Sequence, residues 1–450
     1  MPERRVNIIG AGLAGSEAAW QLVTRGIPVT LIDMKPGRMS PAHSSPLFAE
    51  LVCSNSLRGD RLENAPGLLK QELRQLNSLV LQAADASRVP AGGALAVDRE
   101  QFSTFITEKL KQHPLVRYES RVVDSIPEAP FIIATGPLTD EKLAREIEQA
   151  AGMLHFYDAA APIVFKESIN MDIAFRASRY GRGDDYLNCP MNEDEYNAFI
   201  DALVAAECAD ILGFEDKRQF DGCLPIESIA KRGRMAAAFG PMKPVGLRDP
   251  RTGKEPFAVV QLRQDDAAGS IYNLVGFQTR LKFPEQKRVF GMIPGLEHAE
   301  FARFGVMHRN TFINSPQLLD SSLSLSRIGL PTIRFAGQIT GTEGYVEAIG
   351  SGLMAALGTY AQIKGLPEPV LPQQTLLGSL LRYATDPNTL DYQPMHVNYG
   401  IMMPLEQPIR SKQQRYLAYS QRARQALDDF IDDRPDLRFL PEYSLPLIQD

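Results

Sequence analysis

Residues 6–15, Val-Asn-Ile-Ile-Gly-Ala-Gly-Leu-Ala-Gly, constrain this chain more than any other stretch. A short apolar strand ends at Gly10, and Gly10, Gly12 and Gly15 stand in G-x-G-x-x-G spacing. A helical pattern follows from Ser16 to Arg25, then a second apolar strand, Val29-Thr-Leu-Ile, that ends in Asp33. In such a unit the first glycine makes the tight turn and the second admits a pyrophosphate to the backbone. The third lets helix and strand pack closely, while the helix N-terminus aims unpaired N–H groups at the phosphates. Asp33, 23 residues after Gly10, stands where a carboxylate binds a ribose hydroxyl. Strand, helix, second strand and terminal acid fall in register, so the stretch Gly10, Ala11, Gly12, Leu13, Ala14, Gly15 is expected to cradle a dinucleotide.

Two later stretches bear on which dinucleotide. Phe131-Ile-Ile-Ala-Thr-Gly136 reads as a strand returning to the same sheet. Ile333-Arg-Phe-Ala-Gly-Gln-Ile-Thr-Gly-Thr-Glu-Gly-Tyr345 reads as a strand, then glycines (Gly337, Gly341, Gly344), then a small-residue helix to about Tyr360. A helix N-terminus there stabilises negative charge on a flavin or its phosphates. A plain NAD dehydrogenase has no use for this late return, whereas flavoproteins of the glutathione-reductase type do. FAD is the expected cofactor.

The dinucleotide signals occupy residues 1–150 and 301–450, so residues 151–300 read as an inserted domain, since a Rossmann sheet rarely needs so long an excursion between strands. Ile163–Phe165, Phe257–Arg263 and Ile271–Val275 read as strands there and Asp194–Leu212 as a helix. The fold class expected is α/β, a glutathione-reductase-type Rossmann FAD-binding domain with an inserted α+β domain. Between Lys231 and Arg288 twelve basic residues oppose five acidic ones, although the whole chain carries a net charge of −6. That local excess suggests a phosphate-binding face, with Lys231, Arg232 and Arg234 at its start. Solvated surface charge is the plain alternative for any one of them.

No apolar run reaches 18 residues, so no membrane span is expected. The N-terminus enters the first strand directly, so no signal peptide is expected. Four cysteines (Cys53, Cys189, Cys208, Cys223) lack C-x-x-C spacing and clustered histidines, which argues against a disulfide framework or a metal site and fits a reducing cytoplasm. Cys223, between Gly222 and Pro225, reads as sitting on an exposed turn just before Lys231, where a thiolate is favoured. Cys53 lies in a polar, serine-rich loop, and Cys208 reads as lying on an apolar helix face. A small buried hydrophobe is the ordinary reading of a free cysteine.

Several longer stretches resemble one family. They are Pro41-Ala-His-Ser, Phe48-Ala-Glu-Leu-Val-Cys-Ser-Asn-Ser-Leu-Arg, Pro90-Ala-Gly-Gly-Ala-Leu-Ala-Val-Asp-Arg, Phe220-Asp-Gly-Cys-Leu-Pro-Ile-Glu, Gly305-Val-Met-His-Arg-Asn-Thr-Phe-Ile-Asn-Ser-Pro and Ala336-Gly-Gln-Ile-Thr-Gly-Thr-Glu-Gly-Tyr. On these the chain resembles, essentially end to end, the bacterial folate- and FAD-dependent tRNA (uracil-5-)-methyltransferases. The resemblance implies 5,10-methylenetetrahydrofolate as carbon donor, FAD reduced by NADH or NADPH as electron source, and a uridine in the T-arm of tRNA as substrate. It implies Cys223 as the thiol that adds to uracil carbon 6, Cys53 as a second, flavin-proximal cysteine, and His308 as a histidine stacked on the pterin. No obligate protein partner is implied. The related wobble-uridine modification flavoproteins share the FAD motifs but carry a long C-terminal helical region, which is not expected in this chain. A ribosomal RNA uridine as substrate, a small-molecule flavin oxidoreductase, and an RNA-binding protein keeping FAD as a structural element are the other readings.

Overall fold

The computed structural model describes residues 5–443 apart from 41, 127–129, 153, 182, 210–223 and 390–391. Its first sheet has six strands in the order Ser324–Leu325, Leu330–Phe335, Phe131–Ile133, Val6–Ile9, Val29–Asp33, Val116–Ser120. The last five are parallel, and only the Ser324–Leu325 edge runs antiparallel. Strands buried on both faces need near-continuous apolar runs, and Phe-Ile-Ile and, but for the half-buried Asn7, Val-Asn-Ile-Ile supply them. The strand read from residue 131 is the direct neighbour of the opening strand and the strand read from residue 333 lies next beyond it, so both glycine-rich regions come to one edge.

Helix Leu13–Val23 covers this sheet and packs against helix Tyr345–Lys364. A Cβ on Gly352 would collide with the Ala14 carbonyl, so the small residues of the second helix are what let the two axes approach so closely. Their apolar faces join the strands, helix Ala65–Gln75 and part of helix Lys412–Asp433 in one core.

A second, fully antiparallel sheet runs Phe175–Arg176, Tyr186–Met191, Ala258–Gln264, Ile271–Leu274, Ile163–Phe165, Phe301–Arg303 and has its own core with helices Glu193–Ala205 and Phe283–Phe290. An antiparallel ribbon, Leu154–Ala159 against Met307–Phe312, carries the chain out to that sheet and back. The helix read over Asp194–Leu212 ends at Ala205. Cys208 is therefore not on a helix face but bridges to Leu281. Among the described residues no helix is long and apolar enough to cross a membrane.

Candidate active site

The glycine turn after the first strand opens a cleft of about 1130 Å³ along the sheet edge. Gly10 has φ of 101°, a conformation costly for any residue with a Cβ, and packs against the Ala134 carbonyl. A Cβ on Gly15 would strike the Gly10 carbonyl. Around the ideal Cβ position of Gly12 there is nothing within 4 Å, so this glycine faces open space in the cleft. Leu13, Ala14, Asp33, Gly337 and Gly344 share that wall. Asp33 accepts hydrogen bonds from the N–H groups of Ala11 (2.6 Å) and Lys35 (2.9 Å), which fixes its carboxylate at the end of its strand. Gly341 stands elsewhere. Its φ of 77° turns the chain against Tyr392, behind the cleft wall.

Two helices begin at this cleft with no side-chain cap, Leu13–Val23 after Gly12 and Tyr345–Lys364 after Gly344. Their first N–H groups have no intrahelical acceptor. Open room at Gly12, a carboxylate at the second strand's end and two uncapped helix N-termini on one wall fit a dinucleotide whose anionic groups need donors.

The cleft continues into a compartment of about 1120 Å³, sharing Val52, Pro137, Leu138, Gln338, Gly344 and Tyr345 with it. Cys53 lines this second compartment, where its Sγ is 3.9 Å from the Ala159 carbonyl at the start of the passage between the sheets. The backbone N–H groups of Cys53 and Ser54 both donate to the Tyr345 hydroxyl, at 2.9 and 3.1 Å. Burial drives the Tyr345 hydroxyl far above its ordinary pKa, with the neighbouring thiol second, so it stays protonated.

Residues that sequence reading did not single out hold this loop. Arg99 donates to the carbonyls of Leu51 and Cys53 and pairs with Asp265 of the second sheet at 2.8 Å. Arg263, only 7% exposed, donates to Ser54 Oγ (2.7 Å) and Asn55 Oδ1 (2.9 Å). A signal for Arg263 existed: an arginine interrupting the apolar run Ala258–Gln264 needs a buried partner. Across the compartment Arg58 pairs with Glu347 at 3.3 Å and hydrogen-bonds His396. Burial first, and then the Arg58 charge, push His396 down to about 3, so it is neutral at physiological pH. The buried Lys70 ammonium donates to the carbonyls of Leu57 (2.9 Å) and Gly59 (2.8 Å), on either side of Arg58, whose φ is 65°.

Cys223 lies outside the described residues. The chain resumes beside the compartment, where the Ile226 N–H donates to the carbonyl of Gln278, a lining residue. His308 is on the Met307–Phe312 strand, opposite Asp158 in register. Cys189 is fully buried in the second core and burial pushes its thiol up to about 12. Burial also raises Cys208. Neither is poised to ionise.

Lys231, Arg232 and Arg234 are exposed, and Arg234 is paired with Asp201 at 2.6 Å. The basic excess counted along the sequence is smaller in space. Arg263 is internal, and Arg280, Lys282 and Arg288 face Glu227, Glu207 and Glu285. Three of those acids and pairs come from residues 201–227, just before the basic run, which a linear window does not include.

The family model of glucose inhibited division protein A matches residues 5–367. The chain is 56% identical over 434 residues to the methylenetetrahydrofolate--tRNA-(uracil-5-)-methyltransferase TrmFO of Listeria monocytogenes serovar 1/2a, covering 96% of this chain and all of that one. It is 56% identical to the protein of the same name from Heliobacterium modesticaldum, over 95% of this chain and 98% of that one. Among solved structures, Aquifex aeolicus GidA superposes with a TM-score of 0.68 at 13% identity, over 95% of this chain and 75% of that one, a likeness of fold. The chain therefore belongs to the methylenetetrahydrofolate--tRNA-(uracil-5-)-methyltransferase TrmFO family, within the broader glucose inhibited division protein A family.

Proposed function

We propose that this protein methylates carbon 5 of a T-loop uridine in tRNA, taking the carbon from 5,10-methylenetetrahydrofolate and using FAD that NADH or NADPH reduces. The overall balance is uridine, methylenetetrahydrofolate and two hydrogens going to 5-methyluridine and tetrahydrofolate. Methylene carbon is at the formaldehyde oxidation level, and reduced FAD supplies the hydride equivalent needed to reach methyl. The observation that carries this reading is the continuity of the Gly12 cleft with the Cys53 compartment, in a chain this close to named methyltransferases.

The chain's residues have separable tasks. Gly12, Asp33, Gly337 and Gly344 line the space for the dinucleotide, and the two helix N-termini there supply donors to its anionic groups. The Cys223 thiolate adds to uracil carbon 6, which turns carbon 5 into an enolate nucleophile. After carbon transfer the C5 proton leaves and the thiolate is expelled. Cys53, held by Tyr345 and Arg99, serves the flavin-proximal steps. His308 stacks on the pterin, and the Lys231, Arg232 and Arg234 face meets RNA phosphates.

Cys223→Ala should keep its FAD and fold yet lose methyl transfer by at least about 10²-fold, a loss comparable to removing a general acid or base. RNA containing 5-fluorouracil should trap a covalent complex with the parent protein and none with Cys223→Ala. Cys53→Ala should change flavin reactivity more than RNA affinity. Methylation by Cys223→Ala at the parent rate would overturn thiol addition, and a parent protein that cannot be loaded with FAD would overturn the whole reading.

A further inference from the structure

The second sheet ends in the edge strand Phe301–Arg303, and three phenylalanine rings stack at that edge. Phe304 lies between Phe301 and Phe283, with centroids 4.9 and 4.7 Å apart and planes within 14° and 17° of parallel. Phe301 leans on the second core, whereas Phe283, first residue of helix Phe283–Phe290, is 50% exposed. One end of the stack is anchored and the other meets solvent. The frame is rigid. The buried Gln286 side chain donates to the Leu281 and Gly305 carbonyls at 2.7 and 2.8 Å and accepts from the Gly305 N–H at 2.8 Å, tying the helix to the residue after Phe304. A single exposed apolar side chain is ordinary on a protein surface. Three parallel rings in a locked frame, ending in an open one, are a preformed platform.

Three cations stand around it, two of them in ion pairs. Lys287 Nζ lies 5.7 Å from the centre of the Phe304 ring. Lys282 and Arg288 flank it, paired with Glu207 and Glu285. Along the chain Phe283 stands five residues after Gln278, which lines the Cys53 compartment. Arg303, one residue before Phe304, lies within electrostatic reach of Arg99, Tyr345 and Cys53. Ala209 and Ile226, on either side of residues 210–223, hydrogen-bond to the Arg280 and Gln278 carbonyls.

Proteins read RNA chiefly through unpaired bases stacked on aromatic side chains, and such stacking tolerates any base. We propose that Phe283, backed by Phe304 and Phe301, is a base-stacking subsite that takes an unpaired nucleobase of the tRNA substrate. The inference rests on the tRNA reading above and adds the surface that holds the RNA.

The test is tRNA binding by Phe283→Ala, with Phe283→Trp and Phe283→Leu beside it, at two salt concentrations. Flavin absorbance and melting temperature serve as fold checks. Phe283→Ala should weaken binding roughly fivefold to 150-fold, the range for losing one stacked base. Its salt dependence should match the parent's, because stacking releases no counterions. Phe283→Trp should restore affinity and Phe283→Leu should not. A hairpin RNA with 2-aminopurine at an unpaired loop position should be quenched by the parent and not by Phe283→Ala. Unchanged affinity in Phe283→Ala, restoration by leucine, or a change in oligomeric state in place of RNA affinity would overturn the subsite. A parent protein that neither binds nor methylates tRNA would overturn the underlying function instead.

Discussion

Three glycines in one motif do three different things, and substitution separates them. Gly12 faces open space with an ordinary backbone (φ −74°), so Gly12→Val should fold with nearly parental stability but bind no FAD, its side chain standing where a pyrophosphate approaches. Gly15 has no room at all, its Cβ position meeting the Gly10 carbonyl. Gly15→Ala should therefore cost about 1–3 kcal/mol of stability through overpacking. Flavin content and chemical denaturation of the two purified variants check the contrast. The same distinction applies to the late glycines. Gly337 and Gly344 line the cleft, while Gly341 serves a turn against Tyr392, which spacing alone does not reveal.

At the scale of elements, the helix that begins at the glycine turn also carries a buried acid. Glu17 accepts hydrogen bonds from Gln21 (2.8 Å), Ser78 (2.7 Å) and the Val80 N–H (3.2 Å), tying the helix to Leu79–Ala86. Burial outweighs those bonds and raises its pKa from 4.5 to about 7. Between those values the folded chain holds a proton that the unfolded chain has released, so stability from this group falls as pH rises through the window. Glu17→Gln should flatten that part of the stability–pH curve by about 1–3 kcal/mol. Denaturant titrations between pH 4.5 and 7 check it, the slope and not the absolute stability being the readout. The first strand and this helix were legible because a short apolar run followed by G-x-G-x-x-G spacing marks a strand, turn and helix between near neighbours in the chain. The partnership with helix Tyr345–Lys364 joins residues more than 300 positions apart, so composition showed only that the later helix was rich in small residues.

In the whole molecule, the Cys53 loop is the joint between the two sheets. Arg99 reaches from the first unit to Asp265, whose side chain is fully buried, while Arg263 reaches back to Ser54 and Asn55. Arg99→Ala leaves the Asp265 carboxylate buried without its cation, which should cost about 3–5 kcal/mol. It also frees the Leu51 and Cys53 carbonyls, so hydrogen exchange at residues 51–55 should rise in that variant while the Val6–Ile9 strand stays protected. Equal protection in parent and variant would show that Tyr345 and Arg263 hold the loop without Arg99.

The Rossmann start, the return of the chain after residue 330 and FAD over a nicotinamide as resident dinucleotide were all legible before folding is considered, because each rests on short apolar runs and glycine spacing. It also marked Cys53 as lying in a polar loop and carried the family resemblance that named Cys223 and His308. The folded chain adds that the Gly12 cleft runs on into the Cys53 compartment, that Arg99 and Arg263 are internal ties, and that much of the basic excess is paired. The physical reason is range. Turn chemistry and hydrophobic period act between near neighbours in the chain. The partner of a buried charge, the angle between two stacked rings and the open space above a glycine are set by segments that meet only once the chain has folded.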